Sequence, residues 1–261
     1  MSDWRLVFVQ VRAQLVSTAR NRRAMVVTLV LPVVILVLFN SIFGGGNDTV
    51  DLAGARITAP AYFAGAMVAY ALVGTAFIQL ALSLVTQRET GQLKRYRGTP
   101  IPTWTFVVAT VLRVAAMVGV STAILLLIAR LAYGVNVSAQ ALAEIALYVA
   151  LGTATLGCAG VAVTTVATDV DTASAALPLV VVLLSFISSI FVPVDQLPGW
   201  LAEIGRVFPL YHVAVGVETA LGVAGDTSLR AGDVAVLVAW TVGTLIVAAR
   251  AFRWEPRAAT A

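Results

Sequence analysis

Charge is scarce in this 261-residue chain: Lys, Arg, Asp and Glu together make 11% of it, where a soluble domain carries about 25%. With 60% hydrophobic residues and a mean hydropathy of +0.94, an ordinary soluble globular protein is excluded. Cysteine and histidine are scarcer still. One of each, Cys158 and His212, allows no intrachain disulfide and no conventional Cys/His metal site. Lysine occurs once, as Lys94 after Leu93, so the Gly-Lys-Ser/Thr ending of a phosphate-binding loop is missing and the chain alone is no Walker-type ATPase. The net charge of +4 comes from arginines that punctuate apolar runs instead of forming a patch, which argues for membrane anchoring over nucleic acid.

Six apolar runs approach the length of about 20 residues that crosses a bilayer. They cover Ala24–Phe43, Ala61–Val85, Trp104–Ile128, Ala141–Val166, Ala173–Phe191 and Ala231–Ala249. The expected fold is an all-α integral membrane protein. Its single domain, residues 1–261, divides into an interfacial elbow (1–23), a six-span bundle (24–250) and a tail (251–261). Five arginines precede the first run, which is too long for a cleaved signal, so Met1–Phe43 reads as a basic arm plus an anchor.

Counting Lys and Arg on alternate sides gives twelve in residues 1–23, 87–102 and 250–257, against four in the other loops. Both termini are thereby expected in the cytoplasm. Arg113, inside the third run, is expected near the cytoplasmic end of its helix, its stem snorkelling towards phosphates. Ahead of the first run, Trp4, Val7, Phe8, Val11 and Leu15 recur at helical spacing with Gln10, Gln14 and Ser17 opposite, the outline of an amphipathic interfacial helix.

In the fourth run Ala150, Ala154, Cys158 and Ala162 recur every four residues, and Gly152, Gly157 and Gly160 add close-approach positions; this small-residue face is expected to pack against another helix. Asp169 and Asp171 read as a solvated turn with helix-starting residues, since two carboxylates do not specify a cation. An intramembrane serine protease would suit six spans, but Thr122 follows Ser121 where a nucleophile motif needs glycine.

Two segments carry a resemblance. The stretch QRETGQLKRYRGTPIP, Gln87–Pro102, suits a short helix on the cytoplasmic membrane surface. Its Arg88-Glu89-x-Gly91-x-Leu93 … Thr99-Pro100 pattern resembles the coupling segment after the second span of ABC-2-type transporter permeases. Later, Phe191-x-Pro193, Leu197-Pro198-x-Trp200-Leu201 and Phe208-Pro209-Leu210-Tyr211 resemble the segment of short external helices before the last span of that family. His212 departs from the pattern, which has a small polar residue there. The basic Lys94–Arg97 stretch and compact external loops are most similar to the drug-resistance, daunorubicin-type branch.

That resemblance implies a non-enzymatic permease subunit in a cell membrane, of prokaryotic type, exporting drugs or other amphiphiles. It implies a second permease, identical or homologous, and two separate ATP-binding subunits that hold ATP and Mg, leaving this chain without a cofactor. Arg88, Glu89, Gly91, Leu93, Lys94, Arg95, Thr99 and Pro100 would be the coupling residues. Export of a lipid or glycan precursor would use the same architecture, and a non-transporting partner or sensor subunit stands outside transport.

The pathway reading comes from the residues themselves. Phe63, Tyr70 and Phe77 recur every seven positions along the second run, with Thr75 and Gln79 nearby. Tyr70, Phe77 and Gln79 are the candidate substrate-pathway residues, able to hold a flat amphiphile by burial and aromatic contact. Helix packing explains the same stripe.

Overall fold

The computed structural model describes residues 3–20, 22–43, 49–52, 55–98, 101–167, 169–222 and 229–251. Helix α1 (Asp3–Arg20) turns Trp4 and Phe8 outward, 71% and 68% exposed, as a lipid-facing edge requires. Its polar side does not face water. Gln10 Nε2 donates to Thr105 Oγ1 at 3.2 Å, Gln14 Nε2 to Thr110 Oγ1 at 3.4 Å, and Arg113 Nε to Gln14 Oε1 at 3.2 Å. Thr105, Thr110 and Arg113 lie on α6 (Thr103–Tyr133), and the edge-to-face Trp4–Trp104 pair closes the same seam. The buried Arg113 guanidinium is therefore held by the elbow, as a buried polar group requires a hydrogen-bond partner.

Helix α2 (Arg22–Phe43) contains Pro32 and leads towards a hairpin absent from the sequence reading, β1 (Thr49–Leu52) against β2 (Ala55–Thr58). The pairs Val50↔Ile57 and Asp51↔Arg56 give period-two alternation, and Leu52 and Ile57 are buried. The next rod, Ala59–Glu89, comprises α3 (Ala59–Leu72), a π-helical segment (Val73–Gln79) and α4 (Leu80–Glu89). It is the most enclosed of the long helices.

The π segment widens the helical turn, so the seven-residue spacing from Tyr70 to Phe77 no longer returns to one face. The aromatic stripe is thus split. Phe63 is buried against Phe39, Phe43 and Tyr62, and Tyr70 packs on Phe191. Phe77 fits between two hydrophobic clusters, and Gln79 Nε2 donates to Thr28 Oγ1 of α2.

Helices α7 (Ala139–Val163), α8 (Val170–Ile187) and α11 (Ala231–Ala251) complete the long elements. Among the described residues five helices are long and apolar enough to cross a membrane: Ala59–Glu89, α6, α7, α8 and α11. In α2 the apolar stretch among the described residues is shorter, Thr28–Phe43. The chain is a multi-pass, all-helical membrane protein apart from its hairpin.

The predicted Ala150–Ala154–Cys158–Ala162 face does not pack within the chain: Ala150 and Ala154 are exposed, and Cys158 and Ala162 only half-buried. The neighbouring glycines make the close approach. A Cβ on Gly160 would meet the Ala76 and Phe77 carbonyl oxygens of the π segment at 3.1 and 3.0 Å, and one on Gly152 would meet Val213 at 2.8 Å. Thr155 Oγ1 lies 2.7 Å from Thr241 Oγ1 and ties α7 to α11.

Between α8 and α11 the chain forms a short 3-10 turn, Val194–Gln196, then α9 (Gly199–Val207) and α10 (Pro209–Gly222). Short helices are expected here, but burial of α10 is not. Every residue from Pro209 to Leu221 is buried, and the helix packs chiefly against α3 and α7. Its glycines admit neighbours: a Cβ on Gly216 would fall 2.4 Å from Tyr148, and one on Gly222 1.8 Å from Ile57 of the hairpin.

Candidate coupling site

At the end of α4 the backbone turns through Gly91, whose φ of +69° is left-handed and favours glycine, into the six-residue α5 (Gln92–Arg97). Leu93 is buried, pinning α5 to the bundle, while Lys94 and Arg95 are exposed. Tyr96 meets Phe106 of α6 with ring centroids 5.0 Å apart, and its burial pushes the phenol above its ordinary range. Thr99 and Pro100 lie outside the described residues.

Arg88 and Glu89 point to other helices of the same chain. Arg88, only 5% exposed, donates through Nη1 to the Thr164 carbonyl at 2.7 Å and through Nη2 to the Ala167 carbonyl. These acceptors lie just past the last turn of α7, where a cation suits the helix dipole. Glu89 Oε1 accepts from the Val170 amide at 2.9 Å, at the start of α8, where an anion suits it. Asp169 caps α8 by accepting from the Thr172 amide at 2.7 Å and the Thr172 hydroxyl at 3.0 Å, a helix-starting role. Two successive side chains of opposite charge thus grasp both sides of the α7–α8 turn. Tyr96 thus links α5 to α6, and Arg88 and Glu89 link the turn before it to α7 and α8.

The predicted coupling and pathway residues do not form one site. Tyr70 and Phe77 are half-buried and, with Gln79, sit further up the same rod. Near the start of α10, His212 is buried. Its Nδ1 lies 2.7 Å from Asp233 Oδ1 and its Nε2 2.8 Å from the Arg206 carbonyl oxygen. This resembles half of a hydrolytic triad, but Nε2 is engaged by that carbonyl and the Ser121 hydroxyl donates to Met117 O on its own helix at 3.0 Å. Among the described residues no serine is placed for attack in this arrangement.

Sequence reading missed Glu218, an ionisable residue with 0% exposure in the middle of α10. The available signal was a lone glutamate in a 14-residue apolar stretch bounded by Pro209 and Gly222, too short to span.

A bundle of long apolar helices with a short helix joined to the Ala59–Glu89 rod by a charged turn is the arrangement of a multi-pass membrane protein. The family model for the ABC-2 type transporter matches residues 5–221, and the chain belongs to that family. It is accordingly a permease subunit of an ABC transporter, a class that works with an ATP-binding partner. No curated protein matches the chain.

Proposed function

We propose that this permease serves an ATP-driven exporter of drugs or other amphiphilic compounds, of the drug-resistance branch, in a prokaryotic cell membrane. With α2 as the first of six spans both termini share one side, and the Lys and Arg excess of residues 1–23, 87–102 and 250–257 supports the cytoplasm as that side. Two permeases, identical or homologous, form the pathway, and two ATP-binding subunits carry ATP and Mg. The observation that carries the reading is the Arg88–Glu89 grasp of the α7–α8 turn directly before α5. A partner that pushes α5 bears on three further helices at once and biases the bundle between inward and outward arrangements. Lys94 and Arg95, exposed on α5, offer the docking face, and Thr99 and Pro100 belong to the same coupling set by sequence. Tyr70, Phe77 and Gln79 line the substrate path.

The test is ATP hydrolysis by the co-purified complex, measured with a panel of drugs and of lipids. Stimulation by drugs supports the reading; stimulation by lipids alone transfers it to a lipid exporter. For topology, single cysteines at Ser2, Gln92 and Thr260 in a Cys158→Ala background should resist an impermeant thiol reagent in intact cells. Labelling of any one overturns the cytoplasmic assignment.

A further inference from the structure

The buried carboxyl of Glu218 sits where three elements meet. On α3, Gly65 leaves no side chain between the backbones: a Cβ there would fall 2.7 Å from Glu218 Cα and 2.8 Å from Glu218 Cγ. Where α8 has ended, Ser189 adopts a left-handed φ of +64°, unusual for a residue with a Cβ, and its hydroxyl donates to Glu218 Oε2 at 3.1 Å. The Tyr62 hydroxyl of α3 donates to the Ser189 carbonyl at 2.8 Å and fixes that conformation. Glu218 Oε1 has no hydrogen-bond partner among the described residues.

One serine hydroxyl does not compensate a carboxylate taken out of water, and no cation among the described residues pairs with it. The titratable and charged groups on the surrounding elements include Tyr62 and Tyr70 on α3, Tyr148 and Glu144 on α7, Arg56 on β2, Arg206 on α9, Asp233 on α11, and Tyr211 and His212 on α10 itself. Tyr62 is committed to Ser189, His212 and Asp233 to each other, and Arg206 to Glu203 at 2.6 Å. Glu144 accepts from Gln140 at 3.1 Å, and the Tyr148 hydroxyl accepts from the Arg230 amide at 3.2 Å. The form of Glu218 that fits this enclosure is the neutral acid.

We propose that Glu218 is a proton-binding site, protonated while α10 is packed against α3 and releasing its proton to water when α10 parts from α3. On opening, the carboxylic O–H bond breaks, the electron pair stays on the carboxylate and water accepts the proton. The packed state then holds one proton more than the open state at neutral pH, so rising pH favours opening, by up to about tenfold per pH unit. Acid favours closure. The inference rests on the permease reading only in making this opening a step of the transport cycle.

The experiment uses the full chain in lipid nanodiscs, comparing wild type with Glu218→Gln, which keeps the shape of the neutral acid. Infrared difference spectra at neutral pH should show a protonated carboxylic-acid carbonyl band in wild type that Glu218→Gln removes. Hydrogen exchange of the α10 amides, taken as the ratio of wild type to Glu218→Gln to cancel intrinsic rates, should accelerate with pH. Absence of the band, or a ratio flat with pH, overturns the proposal. Should Glu218→Gln fail to fold, Ser189→Ala must shift the band by removing the hydrogen bond to Oε2; an unshifted band overturns the assignment. Band and pH-dependent ratio in a protein that transports nothing would leave the proton site standing and remove the permease cycle instead.

Discussion

The two ends of the second rod are built differently. At the Glu89 end, contact with α7 and α8 runs through a few charge-assisted hydrogen bonds from Arg88 and Glu89 to backbone groups. At the Ala59 end, α3 meets α10 backbone to backbone through Gly65, and the hairpin meets α10 through Gly222. Hydrogen bonds to helix ends can be exchanged for water as a turn swings, whereas glycine-mediated packing has no partly open arrangement. The first end suits transmission of a push; the second suits an all-or-none separation.

The sharpest way to break this comparison is Gly65→Val, which drives a branched side chain into the backbone of Glu218. A loss of about 3 kcal/mol, at the upper end for overpacking, should appear as a large fall in thermal stability in detergent. Unchanged stability would mean that α3 and α10 are loosely apposed. Next comes Arg88→Gln, which leaves the Thr164 and Ala167 carbonyls without their charged donor at a cost of about 2 kcal/mol. Substrate-stimulated ATP hydrolysis should fall more than protein abundance does. Equal stimulation at equal expression would remove the grasp from the coupling path.

Gly91→Ala places a Cβ in a left-handed conformation and should cost about 1–2 kcal/mol, read as weaker binding of the ATP-binding subunit with the bundle otherwise intact. Smallest is Asp169→Ala, which removes the α8 cap for about 1 kcal/mol. It should leave coupling in place because Glu89 still holds the Val170 amide. If it uncouples as strongly as Arg88→Gln, the cap belongs to the lever.

The long helices were legible because lipid demands an unbroken apolar run, a signal that composition carries directly. The charged turn at Arg88–Gly91 was legible as a motif, but its targets were not: Thr164, Ala167 and Val170 contribute backbone groups, which any residue could supply. Helix α10 escaped because hydropathy windows measure spanning length, and 14 residues enclosed by protein look like a loop with apolar content. The four-residue strands of the hairpin left too short an alternation to see. The π segment was illegible for a related reason, since it lengthens one turn without marking composition. Gln10 and Gln14 were placed on the correct face of α1, but the partner of that face, α6, was invisible to a local pattern.

The seam between α1 and α6 also sets an order of assembly. Gln10 is 95 residues from Thr105, and Gln14 is 99 from Arg113. At a synthesis rate of about 5–20 residues per second, the elbow waits on the order of 5–20 s after it emerges before its partners exist. During that interval its glutamines have only water and headgroups to bond. Helix α1 thus waits for α6, and that helix locks the elbow in place before α7 to α11 have been made.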